Sequence, residues 1–135
     1  MTANVNHFRS LLHALALGLL MAVSPANADS PVKLETLFKS SLESSSDLEV
    51  IISLVEIGPN LTLPKHYHPG EEFIYALEGS ATLWLRDQPD VLLEPGQVAK
   101  VPLEQVHTAV TGDKPVKAIV FRVHRKGHPE RIPVE

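Results

Sequence analysis

Residues 66–79 read His66-Tyr67-His68-Pro69-Gly70-Glu71-Glu72-Phe73-Ile74-Tyr75-Ala76-Leu77-Glu78-Gly79. In an extended strand, residues two apart point to one face. The His66 and His68 imidazoles can therefore meet one ion while Tyr67 points away. Pro69-Gly70-Glu71 turns the chain, and Glu72 returns a carboxylate to the same space from the next strand. Glu71 is read as a solvated turn acid. A second cluster supplies Gly96, Pro102 and then His107 at the start of another apolar run. Three neutral imidazoles and one carboxylate suit a single divalent transition metal; iron, manganese, nickel, zinc and copper all accept such donors. Four protein ligands leave coordination positions open for water or a ligand. Because the imidazoles must be neutral to bind, metal release is expected on acidification through about pH 6 to 5.

Outward from these clusters, short apolar stretches alternate with turn residues. Leu48 to Ile57 is β-branched and ends at Gly58-Pro59-Asn60. Leu61 to Leu63, Glu72 to Leu77, Ala81 to Leu85, Val91 to Leu93, Val98 to Val101, Val106 to Val110 and Val116 to Val123 follow. That spacing predicts about eight strands of a sandwich or barrel. Leu34, Leu37, Phe38 and Leu42 are spaced like a helix face, and the segment is read as either a short helix or an arm strand. Phe73, Tyr75 and Trp84 are read as core or interface aromatics. His124 and His128 are read as solvated, and the tail over 125–135 as polar and exposed.

The chain has 135 residues with a net charge of −4, 44% hydrophobic and 21% charged residues, and no cysteine. One domain is expected. Without a dominant basic patch, a nucleic-acid partner is disfavoured. The missing cysteine excludes disulfides, thiolate metal sites and cysteine nucleophiles. Residues 1–28 have a polar start, an apolar run over 11–23, a Ser24-Pro25 break and an Ala26-Asn27-Ala28 small-x-small end. This is the layout of a signal peptide. Cleavage after Ala28 would leave 107 residues carrying −5, periplasmic or secreted, with no membrane attachment. The remaining divisions are an arm or linker over 29–47, a β-barrel over 48–124 and the tail.

The motif residues resemble the cupin superfamily. Its first motif runs His-x-His, three or four residues, Glu, six residues, Gly, matched by His66, His68, Glu72 and Gly79. Its second runs Gly, five residues, Pro-x-Gly, two residues, His, three residues, Asn, matched by Gly96, Pro102 and His107. Glu104 stands where the motif has Gly, and Thr111 where it has Asn. The Glu104 change bears on the turn, because a residue with a Cβ tolerates positive φ poorly. Gly58 lies eight residues before His66 rather than six. The resemblance implies an all-β double-stranded β-helix, or jelly-roll barrel, around a metal held by His66, His68, Glu72 and His107. It also implies an enzyme of dioxygenase, decarboxylase, isomerase or lyase type acting on a small molecule, with Glu72 as candidate catalytic base. It further implies a homodimer formed through the arm. Oxygenation ranks first, because the donor set is close to the facial triad of non-haem iron oxygenases. The competing reading is a non-catalytic ligand- or metal-binding module: Arg86 and Arg122 stand singly, and no arginine pair or lid insertion is evident.

Overall fold

Alternation of β-branched and small residues, cut by proline and glycine, leaves the chain few options besides short strands. The computed structural model describes residues 30–135; the leader reading over 1–28 lies outside them. Among the described residues there are ten strands and no helix. They are β1 Val32–Ser41, β2 Leu48–Ile57, β3 His66–Tyr67, β4 Gly70–Glu78 and β5 Ala81–Leu85, then β6 Val91–Leu93, β7 Val98–Val101, β8 His107–Thr111, β9 Val116–Arg125 and β10 Ile132–Pro133. All pairings are antiparallel, in two five-stranded sheets ordered β1-β2-β9-β4-β7 and β10-β3-β8-β5-β6. This is the jelly-roll arrangement that the sequence predicts.

The core forms where inward-facing residues of the two sheets meet. Ala76, Ala99 and Val101 of one sheet pack on Leu83, Leu85 and Leu93 of the other. Each buried leucine contributes about 1.5–3 kcal/mol by leaving water. A second cluster joins Ile57, Ala81 and Val116. Alanines at 76, 81, 109 and 118 point inward where larger side chains would close the interior, so the sheets leave between them a partly open cavity of about 230 Å³.

For the segment read as either a short helix or an arm strand the structure shows the strand, and two other segments differ from the sequence reading. The residues spaced like a helix face form edge strand β1, paired along β2 from Val32↔Ile57 to Ser41↔Glu49. A helix there would need a face to bury, yet Leu34, Leu37 and Phe38 stay about half exposed. Leu61 to Leu63 makes one isolated bridge, Thr62↔Val110, rather than a strand. The tail is exposed at most positions but folded: β10 pairs with β3, and Val134 N–H donates to the Lys65 carbonyl.

The two motif departures keep their local shapes. Glu104 adopts φ +56°, the left-handed conformation a glycine would take, at a cost of about 1 kcal/mol. Thr111 is buried; its hydroxyl donates to the Gly58 carbonyl at 2.7 Å and accepts from Leu61 N–H at 3.0 Å. It thereby fixes the end of β8 to the turn that follows β2.

Candidate metal centre

β3 and β8 place two of the histidines directly opposite each other, with His66 and His107 as register partners. His68 follows on the same face as His66, and Tyr67 points away, as alternation requires. All three imidazoles are buried, and their ligating nitrogens lie within 4.8 Å of one another. Glu72 enters from β4, 6% exposed, with Oε2 3.0 Å from His68 Nε2 and Oε1 3.5 Å from His107 Nε2. Its neighbour Glu71 pairs outward with Lys100 at 2.6 Å. The structure thus brings together all four residues singled out from sequence.

The backbone sets the tautomers. His66 Nδ1 lies 2.9 Å from the Pro64 carbonyl, His107 Nδ1 2.9 Å from the Gln105 carbonyl, and His68 Nδ1 against the Glu130 carbonyl. A carbonyl can only accept, so the Nδ1 of His68 and of His107 carries the hydrogen and donates it; His66 Nδ1 does the same towards Pro64, the nearer of its two neighbours, with Arg131 Nη2 at 3.2 Å. Each Nε2 is then left with a lone pair. Nδ1 anchoring of this kind orients metal-binding histidines and raises their basicity. The His68 Nε2 atom is buried and has no hydrogen-bond partner. A lone pair facing an ionised carboxylate 3.0 Å away needs a cation beside it. A second proton or a metal ion supplies that cation, and the three-imidazole, one-carboxylate donor set fits a divalent transition metal.

Burial alone would raise the Glu72 carboxyl. The imidazoles of His107 and His68 outweigh it and hold Glu72 well below the usual carboxylate range. Burial pulls His66 down to about 4, helped by His107, Arg131 and His68 and opposed by the Pro64 carbonyl. Above pH 6.5, His66 is neutral both folded and unfolded. As pH falls from 6.5 through 4, the unfolded chain takes a proton that the folded one resists, so folded stability declines. We expect the metal-free protein to lose up to about 1.4 kcal/mol per pH unit in this window from His66. Urea midpoints at pH 7, 5.5 and 4.5 measure it, and an unchanged midpoint would contradict it. Proton competition at this ligand starts nearer pH 4 than the window set by unperturbed imidazoles.

Sequence reasoning named Arg122 only as a lone candidate and missed the other charged groups around this cluster. Strand β9 alternates strictly, placing Val116, Ala118, Val120, Arg122 and His124 inward. Arg122 is 3% exposed, faces Glu72 across the β4–β9 register, and brings Nε 3.3 Å from Glu72 Oε2. His124, read as solvated, is instead fully buried, with Nε2 3.2 Å from the Pro129 carbonyl. Its parity with Val116 was the available signal; its polarity argued the other way. From the tail, Glu130 Oε2 lies 3.3 Å from Arg122 Nη1, and Arg131 Nη2 donates to the Pro64 carbonyl at 2.8 Å. No local pattern announces either contact. Phe73, Tyr75 and Trp84 do not line the cavity; Phe73 meets Phe121 edge-on at 6.2 Å, and Lys65 Nζ sits 4.4 Å over the Trp84 ring.

Residues 53–122, about half the chain, match the family model described as Cupin domain. The chain belongs to the cupin family. Several solved structures resemble this cupin. The polyketide cyclase RemF from Streptomyces resistomycificus is 28% identical, with a TM-score of 0.61 over 78% of this chain and 72% of that one. A chain described under the DMSP lyases RdDddP and RnDddQII is 27% identical, TM-score 0.59, over 64% of this chain. This cupin spans only 44% of that lyase chain's length. A conserved protein with a double-stranded β-helix domain from Klebsiella pneumoniae is 18% identical, with TM-score 0.62 over 84% of this chain and 90% of that one, and shares the fold alone. No curated protein matches the sequence.

Proposed function

We propose that this cupin is a divalent-metal-dependent enzyme of dioxygenase type acting on a small organic molecule. One observation carries the reading: a partly open cavity with mostly apolar walls is also lined by His66, His68, His107 and Glu72. At about 230 Å³ it lies below the roughly 300–1,000 Å³ of sites for drug-sized ligands, so the substrate is small. His66, His68 and His107, with Glu72 as fourth donor, would hold the ion. Bound there, it would supply a Lewis-acid and redox centre for substrate oxygens and dioxygen.

The chain's own residues do the rest. Walls such as Val55, Ile57 and Ala118 take the apolar body of the substrate out of water. The Pro64, Gln105 and Glu130 carbonyls keep the three rings in their ligating tautomer. Glu72, once detached from the ion, would be the group placed to accept a substrate proton, and Arg122 beside it orients the carboxylate.

A second reading, non-redox elimination or cyclisation, is favoured by the cyclase and lyase among the similar structures. Oxygen uptake by iron-, manganese- or nickel-loaded protein with small diketones and organic acids tests the choice. Uptake coupled to product supports oxygenation. Equal turnover without dioxygen supports the second reading, and tight binding with unchanged ligand recovered supports a binding or sensing module. The proposal includes a periplasmic or secreted location, from the leader reading. It also includes a homodimer that covers the open edge of β1, where Leu34, Leu37 and Phe38 are exposed. Sedimentation of a monomer at high micromolar concentration would end the dimer.

A further inference from the structure

The polar end of the cavity holds more than metal donors. Arg122 comes from β9 and Arg131 from the tail, nine residues later, and both line the cavity. Arg122 is almost fully buried, and its Nε has no hydrogen-bond partner of adequate geometry. Its Nη1 makes only a long contact, 3.3 Å, with Glu130 Oε2. Arg131 is exposed at the rim and commits Nη2 to the Pro64 carbonyl. A guanidinium has five N–H donors, so both arginines retain donors.

Glu130 explains what those donors are for. Its carboxylate bridges Arg122 on one side and Lys39 Nζ, 3.6 Å from Oε1, on the other. The side chain is 37% exposed, so it can leave Arg122 while keeping Lys39. It thus stands in for an incoming carboxylate. Glu72 and Glu130 balance Arg122 and Arg131 in charge, and a bound divalent ion would tip the site positive.

We propose that Arg122 and Arg131 form a carboxylate-binding subsite, so that the substrate is a small carboxylic acid whose apolar body fills the chamber. The inference rests on the reading of the cavity as a substrate site and narrows the substrate class. On binding, the acid displaces Glu130 from Arg122, and Glu130 stays with Lys39.

Calorimetry with pentanoate and its neutral counterpart pentanamide tests this, on full-length protein both metal-loaded and metal-free. The metal-free arm matters because an ion would itself attract a carboxylate. Pentanoate is expected to bind about tenfold tighter than pentanamide in both forms, the scale of one charge-assisted hydrogen bond. Arg131→Gln, at the exposed rim, should cut that ratio to about twofold. Glu130→Gln removes the competing charge but keeps the carbonyl on His68; it should tighten pentanoate about threefold and leave pentanamide unchanged. No binding of either probe, equal affinities, preference only in the metal-loaded form, or a ratio untouched by Arg131→Gln would each overturn the subsite. Elemental analysis of the same samples separates the two readings. An acid preference without metal uptake sinks the metal enzyme and keeps the subsite; metal uptake without the preference does the reverse.

Discussion

Replacing His68 and His107 together by alanine should lower bound metal from about one ion per chain to below about a tenth, after dialysis against buffer. The two imidazoles supply the Nε2 atoms that face Glu72 at 3.0 and 3.5 Å. Without them, only His66 and the carboxylate remain, too few donors to outcompete water for a divalent ion. The barrel itself should survive. Neither histidine belongs to the apolar clusters of the interior, and alanine leaves a roomier, already polar corner. Elemental analysis reads the stoichiometry, and far-ultraviolet circular dichroism confirms that the strands persist. A folded variant that still holds one ion would place the metal elsewhere and dismantle the assigned site.

Gly70→Ala should damage the fold severely, by about 3 kcal/mol or more. A Cβ at this position would lie 2.2 Å from the Val123 carbonyl oxygen and 2.9 Å from His124 Cα. Those are backbone atoms of β9, which cannot move aside as a side-chain tip can. Strand β4 must separate from β9 at the point where Gly70 faces His124 and, two residues on, Glu72 faces Arg122. Thermal melting should fall by roughly 12 °C or more for a domain of this size. Metal affinity should fall too, because the displaced strand carries Glu72. Gly112→Ala is the control: a methyl group there would meet no atom within 4 Å, so its midpoint should hardly change. Equal effects of the two substitutions would show that the β4–β9 approach is not what Gly70 protects.

The donor set was readable because ligand chemistry restricts residue type and strand geometry restricts spacing. His66, His68, Glu72 and His107 satisfy both conditions, and the structure assembles them. Most strands were readable from β-branched runs bounded by proline and glycine. Strand β1 was legible only as one of two alternatives, for a local reason. A bulge between Thr36 and Phe38 makes Leu37 an extra residue and inverts the face of everything after it. Apolar residues at 34, 37 and 38 then mimic a helical stripe. Arg122 and His124 were hidden differently: their alternation with Val116 pointed inward, and their polarity pointed outward. Partners on β4 and the tail resolve that conflict in favour of burial. Glu130 and Arg131 reach the histidines through contacts spanning about sixty residues, His68 to Glu130 and His66 to Arg131. No window of sequence contains such a pairing.

The carbonyl that holds the His68 ring belongs to Glu130. Residues 68 and 130 are far apart in the chain, so this donor is held in place only when the tail is folded against the barrel. Commitment of that ring waits for the downstream segment to dock beside Pro64 and Lys65. Full orientation of the three rings therefore depends on a segment that lies outside both histidine clusters. A protease that nicks the segment between 125 and 130 would leave the scaffold standing and its grip on the cation slack.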